Sequence, residues 1–210
     1  MELQRGDTTA VMNGCLTDLD RADTLLEVRR VKESLPQRFG AIPVKKGASP
    51  LKVGLLGEAT VLRNRLLNHN IEEILGGLGV EVFNYFLLGE EIKNIFGIGL
   101  RGRHSRYTLK RLARPYLKSL VGGHALDSVA NALRCAREGY DGVIHVCPAG
   151  CMPEISVRPV LRSVSEDTGL PVLECSFDEH TSHVGMITRL EAFVDMLKNK
   201  SFSKKSLGKI

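Results

Sequence analysis

A chain of 210 residues, 43% hydrophobic and with a mean hydropathy near zero, can bury a full α/β core, and it has no apolar run of the roughly 18–20 residues that a membrane helix needs. The net charge is +5, but aromatic residues are only 5% and Trp is absent, so the basic–aromatic pattern of a nucleic-acid binder is missing. Five cysteines, an odd count, follow a start ("MELQRGDTTA") without the basic-then-apolar order of a secretory signal. Reduced thiols or metal ligands in a cytoplasmic protein are therefore expected, rather than a disulfide framework.

Residues 1–50 read differently from the rest. "DLDRADTLLEVRRVKESL" places Leu19, Leu25, Leu26, Val28 and Leu35 at helical spacing among charges, and "PQRFGAIPVKKGASP" then interrupts with three prolines and two glycines. The expectation is one helix and a linker reaching Pro50. From there strand and helix signals alternate. "LKVGLLG" (51–57) is a short apolar run of the kind found in buried parallel strands. "NIEEILGGLG" (70–79) predicts a short helix with a glycine stop, and "VEVFNYFLL" (80–88) is rich in β-branched and aromatic residues. "GEEIKNIFGIG" and "SRYTLKRLARPYLKSL" are helical, with Pro115 a boundary. "ALDSVANALRCAREG" (125–139) puts Leu126, Val129, Ala130 and Leu133 on one stripe before Gly139. "GVIHV" (142–146) is a strand, "PEISVRPVLRSVSEDTG" a helix with Pro153 suited to its first turn, "LPVLECS" (170–176) a strand, and "GMITRLEAFVDMLKNK" (185–200) a helix. The basic, acid-free stretch 101–118 and the tail 201–210 read as a solvated helix face and a frayed end, or as a patch for an acidic partner.

This order predicts an α/β protein with a mainly parallel, flavodoxin-like sheet, helices on both faces and an N-terminal helical extension: 1–50 extension and linker, 51–200 the α/β domain, 201–210 the tail. Ligands in such sheets gather at the carboxyl ends of the strands. "CPAGCMPE" falls there. Its Pro-Ala-Gly makes a turn, so Cys147 and Cys151 can face one side near a helix start, where two thiolates suit a soft metal or an iron–sulfur cluster. The same spacing also fits two small loop residues. "SFDEHTSHVG" gathers Asp178, Glu179, His180 and His183, either for acid–base or metal work, or with Asp178 or Thr181 capping the next helix. "VGGHALDSV" sets two glycines and His124 before a helix, either an anion-binding turn or a plain cap. No GxxxxGK[ST] or GxGxxG pattern occurs.

The blocks "KVGLLGEATVL", "IEEILGGLGVEV", "GGHALDSVANALRCAREGYDGVIHVCPAGCMPEISVRPVL" and "GLPVLECSFDEHTSHVGMITRLEAFVDML" resemble, in order and spacing, the 2-hydroxyacyl-CoA dehydratase and benzoyl-CoA reductase family with its CoA-enzyme-activase-associated relatives. The resemblance covers residues 51–198, and "GCMPE" and "SFDEHTSHVGMITRLEAFVD" are its most specific parts. It implies iron–sulfur clusters held by cysteines between flavodoxin-like domains and fed with low-potential electrons by a separate ATP-hydrolysing activator. The implied chemistry is a reduction or radical elimination on an acyl-CoA thioester or a related small molecule, which would make the chain a lyase or oxidoreductase component. The cysteine of the "CMPE" motif is a cluster ligand in the family and corresponds to Cys151.

The chain departs from the family pattern in two ways. Family members have a further α/β domain with its own cysteines before this one, where this sequence has about fifty residues containing Cys15. Cys147 stands where many relatives have another residue. A two-fold dimer could bring Cys147 and Cys151 of each copy to one [4Fe–4S] cluster, which takes four thiolates. The alternative is a cluster-free scaffold for a cysteine-complete family partner. Glu154, His180 and His183 are the candidates for the wall of the site.

Overall fold

The computed structural model describes residues 2–4, 6–45, 49–96, 98, 102, 104–119 and 121–207, with side chains up to residue 200. Two members of the basic stretch, 101 and 103, and residues 208–210 of the tail lie outside this set. The chain divides into two compact units, Met1–Pro50 and Leu51–Ile210.

The first unit holds two helices where one was expected, α1 (Asp7–Asp20) and α2 (Leu25–Gly40). Thr24 makes the division. Its backbone is extended, its hydroxyl accepts from the N–H of Glu27 at 3.3 Å, and the Glu27 carboxylate accepts from the N–H of Thr24 at 3.1 Å. This is a capping box, and it starts a new helix inside what reads as one continuous pattern. Pro36 lies within α2 and does not end it. A proline removes one backbone donor, and here the helix continues one further turn to Gly40. The two helices pack on each other with Cys15 buried, and Arg38 reaches both the Cys15 thiol, at 3.7 Å, and the Asp18 carboxylate.

The second unit is a flavodoxin-like α/β fold. Strands β1 (Leu51–Gly57), β2 (Val80–Asn84), β3 (Gly142–Pro148) and β4 (Val172–Phe177) form one parallel sheet in the order β2-β1-β3-β4. The connections carry α3 (Ala59–Arg63) and α4 (Ile71–Gly77), then α5 (Leu88–Ile95), α6 (Arg106–Ala113) and α7 (Ala125–Arg137), then α8 (Met152–Thr168) and finally α9 (His183–Leu207). α9 runs on into the segment expected as a frayed tail.

Alternation along each strand sorts the core into two layers. Val53, Leu55, Ile144, Val146, Cys175 and Phe177 face α3, α4 and α9, while Leu56 and Val143 face α6, α7 and α8. The connection after β1 therefore leaves on one face and the connection after β3 on the other. Strand order reverses between β1 and β3, and the crevice at their carboxyl ends is where this fold places ligands. Gly57 ends β1 with φ +135, and a Cβ there would lie 1.8 Å from the carbonyl oxygen of Val146. Only glycine lets the two backbones come this close.

Candidate functional site

β3 is two residues longer than expected, so Cys147 belongs to the strand and not to the turn after it. It pairs in register with Ser176, is fully buried, and faces the α8 side of the sheet. Arg158 of α8 donates to the Cys147 sulfur at 3.3 Å and to the Ser176 hydroxyl, and it lies 3.5 Å from the Glu174 carboxylate. Cys151 follows the turn Pro148-Ala149-Gly150, in which the N–H of Cys151 bonds to the carbonyl of Pro148 at 3.2 Å and Gly150 takes φ +84. It is the N-cap residue of α8 and half-buried, with Pro153 in the first turn as expected.

Burial pushes the Cys151 thiol up, and the nearby Glu154, Cys147 and Glu58 add to this, against a backbone N–H of Glu154 that favours the thiolate. The free residue is therefore a poor nucleophile at neutral pH, whereas a bound metal would take the thiolate outright. Within residues 51–210 the other two cysteines serve the core. Cys175 faces the opposite side of the sheet and is pushed up to about 11 by burial. Cys135, on the buried face of α7, packs against Gly54 and is pushed up to about 12, again by burial.

Glu154, in the first turn of α8, is completely buried. One of its carboxylate oxygens accepts from the Ser128 hydroxyl at 2.9 Å and lies 2.7 Å from Nε2 of His145. The other oxygen and Nδ1 of His145 have no partner among the described residues. Ser128, Glu154 and His145 thus tie α7, α8 and β3 together behind the cysteine turn. The order is not that of a hydrolase triad, because the hydroxyl meets the carboxylate and not the imidazole. Sequence reasoning singled out Glu154 but not Ser128 or His145. A histidine inside the apolar strand "GVIHV" was the available signal.

His180 and His183 sit at the same edge of the sheet but in solvent. "FDEHTSH" folds as a turn in which the Asp178 carboxylate accepts from the Thr181 hydroxyl at 2.8 Å and from the N–H of His180 at 3.0 Å. Ser182 accepts from the N–H of Gly185 at the start of α9, so the cap falls on Ser182 instead of on Asp178 or Thr181. The His183 ring meets His69 edge-on, with centroids 5.4 Å apart, and His69 in turn lies on Phe177. The N–H of Ala149 donates to the carbonyl of Phe177 at 2.8 Å, so this loop and the cysteine turn adjoin.

His124 precedes α7 without capping it through its side chain. Beside it Asp127 and Glu91 bring two carboxylates, which oppose the anion considered for the "VGGHALDSV" turn. These three residues line a cavity at the ends of β1 and β2 together with Gly57, Phe86 and Ser128.

Among the described residues no helix is long and apolar enough to cross a membrane. No curated protein matches the sequence. The family model for the 2-hydroxyglutaryl-CoA dehydratase D-component matches residues 6–197, taking in both the α/β unit and the helical extension that the motif blocks had left out. With "GCMPE" at the crevice of a flavodoxin-like sheet and nearly the whole length matched, the chain belongs to the 2-hydroxyglutaryl-CoA dehydratase D-component family.

Proposed function

We propose that the chain is an iron–sulfur component of a dehydratase or reductase system, with Cys151, backed by Cys147, as its ligands to a [4Fe–4S] cluster. An ATP-dependent activator supplies its electrons, and an acyl-CoA or related small molecule is the substrate. The observation that carries this reading is the position of Cys151, a half-buried residue at the N-cap of α8, at the crevice between β1 and β3. The N–H groups and dipole of a helix start favour the charged form that a metal takes.

The residues at the edge fit such a group in part. They offer two sulfurs, one half-buried and one held against Arg158, while Cys135 and Cys175 are committed to the core. A cluster of this kind takes four ligands, so the remainder come from a second copy or a family partner. When bound, the cluster supplies one-electron transfer at low potential. The protein's part is to hold its ligands. Arg158 fixes Cys147, the Ser128–Glu154–His145 bonds fix α8 against β3, and Gly57 lets the two strand ends close up. His180 and His183 stand in solvent beside the turn, available to a bound substrate.

The rival reading is a scaffold subunit without a cluster, and the full burial of Cys147 favours it. Anaerobic purification followed by iron and acid-labile sulfide analysis separates the two. Brown protein with both elements supports the cluster. Colourless protein without iron, even after reconstitution, supports the scaffold.

A further inference from the structure

We propose that Glu91, His124 and Asp127 form a binding site for a divalent first-row cation of the Mn²⁺ or Zn²⁺ kind. Glu91 comes from α5, His124 from the residue before α7, and Asp127 from the first turn of α7. One ligand atom of each lies within 4.8 Å of the other two. Metal bonds of about 2.0–2.2 Å hold donor atoms within roughly 4.4 Å of one another, so a small rotation of Glu91, on a helix with no buried residues, completes the approach.

Three further features point to a cation. The cluster faces a cavity of about 30 Å³, enough for an ion or a water. Oδ1 of Asp127 is buried without a protein hydrogen bond among the described residues, and α7 has no side-chain cap, so this carboxylate is not spent on the helix end. The imidazole of His124 is held edge-on against Phe86, with centroids 5.5 Å apart.

The obvious alternative is that these acids merely complement two helix starts. A helix dipole presents about half a unit of positive charge, which two adjacent carboxylates exceed. One nitrogen with two carboxylate oxygens suits Mn²⁺, Fe²⁺ or Zn²⁺, whereas Mg²⁺ and Ca²⁺ prefer oxygen alone. Such an ion, at the ends of β1 and β2, would offer a Lewis acid to an oxygen of a molecule entering the crevice.

Mn²⁺ is the probe, because thiolates compete poorly for it and the cysteine edge would take Zn²⁺. The full chain, stripped with chelator, is titrated with Mn²⁺ while the electron paramagnetic resonance of the free ion is followed. We expect one Mn²⁺ per chain, at least tenfold weaker binding in Asp127→Asn, His124→Ala and Glu91→Gln, and unchanged binding in the Cys147→Ser/Cys151→Ser double variant. Glu91→Gln keeps the test decisive if either α7 variant fails to fold. Absence of saturable binding, binding indifferent to all three substitutions, or binding lost with the cysteines would each overturn the site. The outcome is independent of whether the chain carries an iron–sulfur cluster.

Discussion

Glu154 holds two hydrogen-bonding partners where water does not reach. Removing its carboxylate leaves the Ser128 hydroxyl and His145 Nε2 buried and unpaired. Glu154→Ala should therefore lower the unfolding free energy by about 3 kcal/mol, and Ser128→Ala by about 1 kcal/mol. Urea denaturation followed by circular dichroism measures both. A loss below about 0.5 kcal/mol for Glu154→Ala, the range of a neutral surface change, would show that these bonds do not hold α8 to β3. Two glycines make a second comparison. A methyl at Gly57 meets the Val146 carbonyl, whereas one at Gly150, also at positive φ, meets open space. Gly57→Ala should cost about 3 kcal/mol or more, and Gly150→Ala about 1–2 kcal/mol of backbone strain alone. Equal effects from the two would mean that the close approach of β1 to β3 is not a constraint.

At the scale of the element, the capping box that divides α1 from α2 makes two predictions. Thr24→Ala removes one side of the box and should cost the helix about 1 kcal/mol, read as faster amide exchange in the first turn of α2. The Glu27 carboxylate is held below its ordinary value of 4.5, first by the Thr24 side chain and then by the N–H groups of Thr24 and Asp23. A depressed folded value gives stabilisation that is present above 4.5 and is lost as pH falls through the folded value. The α2 amides should therefore open progressively in acid below about pH 4.5, and less steeply in Thr24→Ala. Acid-independent exchange at these amides would contradict the box.

Apart from α3 (Ala59–Arg63), in a segment that reads as a loop after β1, the elements of the α/β unit were legible because their signals are local. β1 is bounded by Gly57, α7 carries its stripe within a few turns, and α6 stops before Pro115. What failed to show depends on pairing across the chain. β3 extends to Pro148 because Cys147 and Pro148 find Ser176 and Phe177 on β4, and no local pattern contains that. Cys151 was readable from its motif and its turn. The Ser128–Glu154–His145 bonds were not, because they join residues 26 and 9 positions apart. The Glu91–His124–Asp127 cluster likewise joins two helices that are separate in sequence.

For the whole molecule, the cysteine edge of the sheet is where a partner chain would sit. Near Cys151 in the chain or at the same edge of the sheet, Met152 and Val184 are each 72% exposed and Leu66 is 85% exposed. Apolar side chains here, beside an incomplete ligand set, suit a partner chain. A cluster shared between chains would stabilise the assembly that holds it, so the iron-loaded protein should sediment as an oligomer and dissociate more readily after the cluster is removed. A monomer with full iron and sulfide in analytical ultracentrifugation would show that other groups complete the site. Whether Cys151 holds a cluster is read from the iron and acid-labile sulfide content of anaerobically reconstituted protein, compared between the wild type, Cys151→Ser and Cys135→Ser. Cluster iron is expected in the wild type and in Cys135→Ser, and its loss in Cys151→Ser. Equal iron in all three, or none in any, would contradict it.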